Sequence, residues 1–149
     1  VISNIVLVLA EGFSERMNAA RGAASLSRGM EADGRLSCDL CLLAGGVGHV
    51  REPRGERSKL LDRLDFDKRM RAARALVIAC ERLEDRTLPA SVAFEAATRA
   101  RQAGVPTYAV AGRDSLDQFE ARIVDLQLIF EANTSRALEA AGAKLAQLV

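Results

Sequence analysis

The chain has 149 residues, enough for one domain with a sizeable core and too few for two comfortable ones. An apolar share of 49% and a charged share of 28% exclude a disordered polymer, and 21 basic against 20 acidic residues leave no general pull towards nucleic acid or a membrane surface. One Tyr and no Trp leave few stacking platforms for bases, and no apolar run approaches the ~20 residues that span a bilayer. The expected setting is cytoplasmic, with neither nucleic acid nor membrane as partner.

In chain order, the first apolar run is NIVLVLA, residues 4–10. It lacks the basic flank and small-residue cleavage site of a signal peptide, and reads as a buried strand. A helix is expected from about Met17 to Glu31, with Asn18 as its N-cap and Ala19, Ala23, Leu26, Ser27 and Met30 on one stripe. The turn Asp33-Gly34-Arg35 leads into a second strand over 37–44, which carries Cys38 and Cys41. On a strand these two point to opposite faces, so they read as core cysteines of a reduced protein rather than a metal or redox pair.

Residues 45–58 form the longest loop-like stretch, and 49–58 reads as a linker. Amphipathic helix follows over 59–74, broken near Asp65, and then the strand ALVIA over 75–79. A further helix is expected to open at Pro89 and stop at Gly104, before the strand TYAVA over 107–111. A short helix around Leu116–Arg122 and a strand over 126–130 come next. Asn133 is expected to cap the last helix, whose buried stripe is Leu138, Ala141, Leu145 and Leu148.

Apolar strands alternating with helices predict a three-layer α/β domain. A mostly parallel five-stranded sheet would carry helices on both faces, in a Rossmann-like or flavodoxin-like order. Ligands of such sheets gather outside the carboxyl ends of the strands. Four segments leave those ends: AEGFSER, AGGVGH, CERLEDRT and AGRDS. In the second, Gly45, Gly46 and Gly48 serve either turn geometry or close approach to an anion, and His49 is the only histidine. In the third, Glu81, Arg82, Glu84, Asp85 and Arg86 crowd one turn, either as a self-paired charge cluster or as a base with arginines for a phosphate or carboxylate. The residues alone point to a domain that binds a small anion, with no metal site.

The segment LAEGFSERMNAARGAASLSRGM resembles the opening of the glycerate kinase family, typically APDSFKGSLSA. LLDRLDFDKRMRAARALVIACERLEDRTL is similar to that family's stretch ending in ITGEGRLDxQTL, and VAFEAATRARQAGVPTYAVAGR to the passage ending in VPVIALAG. LQLIFEANTSRALEAAGAKLAQLV is similar to its closing strand and helix. The resemblance implies an ATP- and magnesium-dependent phosphotransferase, whose second domain would be inserted where REPRGERS stands.

By that resemblance Glu11 falls on the family's Asp and Ser14 on its Lys, while Ala44 and Val47 replace two carboxylates around the retained Gly45, Gly46 and Gly48. Glu81, Arg82, Leu83 and Thr87 match the later motif, and Glu84 replaces its Asp. Glu11 and Glu84 are the implied catalytic candidates; Gly45, Gly46, Gly48, His49, Glu81, Arg82 and Thr87 are the implied ligand-binding ones. Losing lysines, carboxylates and a domain implies a catalytically weak or silent member that still binds a phosphorylated or carboxylated metabolite. The alternatives are an active kinase completed by a partner chain, a universal-stress-like nucleotide binder and a homodimer.

Overall fold

The computed structural model describes residues 3–13, 17–47, 54–84, 91–117, 119, 122 and 124–149, with backbone alone for 44–47 and 54–56. Five parallel strands form one sheet: β1 Ile5–Gly12, β2 Ser37–Val47, β3 Ala75–Glu84, β4 Thr107–Ser115 and β5 Leu126–Glu131, side by side in the order β2-β1-β3-β4-β5. Five helices are described: α1 Ala19–Glu31, α2 Arg54–Arg63, α3 Phe66–Ala72, α4 Val92–Gln102 and α5 Ser135–Leu148. The order is that of flavodoxin-like sheets, and the chain reverses direction across the sheet between β1 and β3.

Alternation along the central strands feeds two cores. Leu7, Leu9, Leu76, Ile78 and Cys80 face α2, α3 and α4, while Val6, Val8, Ala75, Val77 and Val110 face α1 and α5. Cys41 belongs to the first core and Cys38 packs against the second, so the expected separation of the C-x-x-C pair holds. All three cysteines are free.

Asn18 caps α1 as expected, its side chain accepting from the Arg21 amide at 2.9 Å. The inner faces of α1 and α5 are small enough for backbone to meet backbone. A Cβ on Gly29 would overlap the Glu139 carbonyl, and one on Gly142 the Leu26 carbonyl. The expected break near Asp65 is also present: Asp65 takes a left-handed conformation (φ 55°) between α2 and α3. Arg99 of α4 then clasps three elements, reaching Asp62 and Asp67 at 3.0 Å, Glu95 at 3.4 Å and the Ser58 hydroxyl at 2.8 Å.

Several boundaries differ from expectation. α2 begins at Arg54, so the later part of the expected 49–58 linker is helix, while residues 48–53 lie outside the described residues. α4 is capped by Ser91, whose hydroxyl accepts from the Phe94 amide at 3.1 Å, so this helix opens at Val92; Pro89, the expected opening, lies outside the described residues. Thr134, not Asn133, caps α5 by accepting from the Ala137 amide at 3.1 Å. Leu148 is 49% exposed because α5 ends there, beyond the core that holds Leu138, Ala141 and Leu145. Of the expected short helix around Leu116–Arg122, Leu116 and Asp117 are not helical, Phe119 and Arg122 are, and 118, 120, 121 and 123 lie outside the described residues.

Both sheet edges are blunted. On β2, Arg69 grips Asp39 with two nitrogens, at 2.7 and 3.0 Å, and donates to the Leu40 carbonyl at 2.9 Å. On β5 the register slips by one residue between the Thr107–Leu126 and Ala109–Ile129 pairs. That bulge lets Leu126 and Ile129 both reach the α4-side core and pushes Leu128 outward, 47% exposed.

Candidate functional site

The sheet runs further at its carboxyl edge than the apolar runs predict. β1 reaches Gly12, β2 reaches Val47, and β3 and β4 continue to Glu84 and Ser115, with Arg82 paired to Arg113, Leu83 to Asp114 and Glu84 to Ser115. The expected turn over CERLEDRT is therefore, through Glu84, an extended strand. Charged side chains stand on a ladder whose hydrogen bonds come from β4, and a strand with a partner on that side tolerates polar residues beyond the core. Gly45 and Gly46 likewise lie within β2 rather than in a loop. Gly48, His49 and Thr87 lie outside the described residues, as do Ser14, Asp85 and Arg86.

An open cleft of about 500 Å³ sits on this edge, lined by Phe13, Glu81, Arg82, Gly112, Arg113 and Asn133. It unites the ends of β1, β3 and β4 with the residue before the α5 cap. Its floor depends on Gly112, since a Cβ there would come within 2.8 Å of the Glu81 carbonyl oxygen. A smaller hollow of about 190 Å³ adjoins it through the shared Gly112 and Asn133. Glu81 and Arg82, both expected from the sequence, come together here. The sequence singles out none of Gly112, Arg113 and Asn133 as site residues, although AGRDS is one of its four edge segments; Asn133 is free to line the cleft because Thr134 takes the cap.

Charge in the cleft is uneven. Arg82 and Arg113 are neighbours in register, and like charges placed so repel one another. Glu84 relieves part of this by pairing with Arg82 at 3.4 Å, with 45% of the arginine side chain still exposed. Counting the lining residues alone, two arginines face one glutamate, a net charge of +1. Phosphate or carboxylate suits two adjacent guanidinium forks. A hollow of about 450 Å³ between α3 and α4 is less suited, because its Arg99 is already held by Asp67 and Glu95.

Glu11 is a separate feature of the same edge. Although it is the penultimate residue of β1, it is only 6% exposed, and its Oε1 has no hydrogen-bond partner among the described residues. Burial pushes its carboxyl up to about 7. It lies one step past the Ala10–Ala79 pair, and its charge, with those of Glu81 and Asp114, adds to burial in raising the Cys80 thiol. Among the described residues no three His, Cys, Asp or Glu side chains gather as they would around a metal ion, and no helix is long and apolar enough to cross a membrane.

No protein-family model and no curated protein matches the chain. Solved structures do match. A protein described as pilus assembly-related, from Burkholderia pseudomallei, is 20% identical, with a TM-score of 0.53 over 96% of this chain and 89% of that one. An oxidoreductase from Corynebacterium diphtheriae is 12% identical, with a TM-score of 0.50 over 100% and 98%. A de novo designed Rossmann 2x3 protein is 12% identical, with a TM-score of 0.46 over 97% and 90%. Likeness at such identities speaks for the fold alone. The parallel order β2-β1-β3-β4-β5, with helices packed on both faces, makes the fold a Rossmann-like, three-layer α/β domain.

Proposed function

We propose that this chain is a binding module for a small phosphorylated or carboxylated metabolite, held in the carboxyl-edge cleft, without phosphoryl transfer of its own. The observation that carries this reading is the in-register pair Arg82 and Arg113 at one cleft. Their mutual repulsion is relieved by an anion bridging both, with the Asn133 side chain available as a further donor. The resemblance to glycerate kinases supports the same ligand class, since Glu81 and Arg82 belong to the segment that resembles the family's GEGRLD motif.

Catalysis is disfavoured by the chemistry of the same residues. Phosphoryl transfer rests on positioned cations and on a base for the attacking hydroxyl. Ser14 stands where the resemblance implies a Lys, and Glu84, on the implied Asp position, has its carboxylate engaged by Arg82. A homodimer formed through a sheet edge is disfavoured too, because both edges are blunted by Arg69 and by the β5 bulge.

Calorimetric titration with inorganic phosphate, glycerate, phosphoglycerate, ADP and ATP tests the reading. At least one should bind, and Arg113→Gln and Arg82→Gln should each weaken it about tenfold or more, the scale of one charge-assisted hydrogen bond. No heat with any of the five would end the proposal. Steady ATP turnover with glycerate by the purified chain would overturn the non-catalytic half.

A further inference from the structure

We propose that Glu11 is a proton-operated latch on the β1–β2 margin of the carboxyl edge: protonated, it stays buried beside Cys80 and the margin is closed; ionised, it turns to water and the Gly12–Val47 pairing opens. This goes beyond the binding reading and does not depend on it.

Three observations of geometry carry it. The side chain is 6% exposed with Oε1 unpartnered among the described residues, a state that a neutral carboxyl tolerates and a carboxylate does not. Glu11 lies at the register break of β1 on β2, where the ladder jumps from Ala10–Leu42 to Gly12–Val47. Backbone on either side of such an irregularity is held by fewer continuous bonds than a regular ladder provides. Finally, β1 and β3 flank the point where the chain reverses across the sheet, the usual place for function in such folds.

Burial, rather than neighbouring charge, favours the proton. From β3 and β4 come the neutral Cys80 thiol, Glu81 and Asp114; the charges of Glu11, Glu81 and Asp114 all act to raise that thiol. On β2, Asp39 is neutralised by Arg69 of α3; on α4, Arg99 is held by Asp62, Asp67 and Glu95. On α2, Arg57 donates to the Ser91 carbonyl at 3.3 Å. Desolvation places the midpoint at about 7, so the ionised fraction rises from about one-tenth at pH 6 to about nine-tenths at pH 8.

The test is amide hydrogen exchange on the whole chain at pH 6 and pH 8, expressed as protection factors so that the intrinsic pH dependence cancels. Protection at Gly12 and Val47 should fall about tenfold in the wild type, following the ionised fraction, and hold within about twofold in Glu11→Gln. A parallel ¹³C titration of the Glu11 carboxyl in the wild type keeps the question decidable if the variant fails to fold. A carboxyl midpoint below about 5, an ordinary glutamate, overturns the latch, as does equal loss of protection in Glu11→Gln.

Discussion

At Glu11 a carboxyl group lies under cover at the end of a strand whose other residues are apolar, and its protonation is tied to folding. In the unfolded chain the group titrates near its ordinary value of 4.5, and in the folded chain near 7. Between those values the native state binds more protons than the unfolded one, so stability falls as pH rises through this window and levels off above it. The full shift corresponds to at most about 3 kcal/mol. Urea denaturation from pH 4.5 to 8 should show this decline in the wild type, and a much flatter profile in Glu11→Gln. The cysteines behave oppositely to a reactive set. Burial raises the Cys38 thiol to about 11 and also raises Cys41 and Cys80, so thiol reagents should label the native chain slowly at pH 7 and quickly once it is unfolded.

Among the elements, the pairing of α1 with α5 is the tightest. Gly29 and Gly142 let carbonyl oxygens of the opposite helix occupy the space of a side chain, and the Ser25 and Ser135 hydroxyls meet at 2.6 Å across the same seam. Gly29→Ala must push the helices apart; by analogy with overpacked cores the cost is about 1–3 kcal/mol, readable as a lower urea midpoint. On the other face, Arg99 joins α2 and α3 to α4 through Asp62 and Asp67, yet those carboxylates are 64% and 43% exposed. Water screens much of that attraction, and Arg99→Gln should cost only about 1 kcal/mol in the same assay. Element type was legible wherever periodicity was strong, as in α1 and at the Asp65 break. Ends were less legible. The charged tails of β3 and β4 resemble loop in composition, and it is their mutual hydrogen bonding that makes them strand.

For the molecule as a whole, strand order decides where chemistry can gather. The arrangement β2-β1-β3-β4-β5 brings the ends of β1, β3 and β4 to one cleft, and sends Cys38 and Cys41 to opposite cores. Since all three cysteines are free, dithiothreitol or EDTA should leave the Tm of the native chain unchanged; a drop with either would reveal a bridge or a metal that this arrangement opposes. By itself the sequence determined the layered α/β architecture, because patterns of period two and 3.6 report which residues must leave water. It also marked Glu81 and Arg82, since charge beside a strand end is visible in one dimension. Only the tertiary structure placed Arg113 and Asn133 beside them, moved the α5 cap to Thr134 and buried Glu11. Each of those outcomes depends on which neighbour supplies a hydrogen bond or takes one away, and that neighbour lies far along the chain.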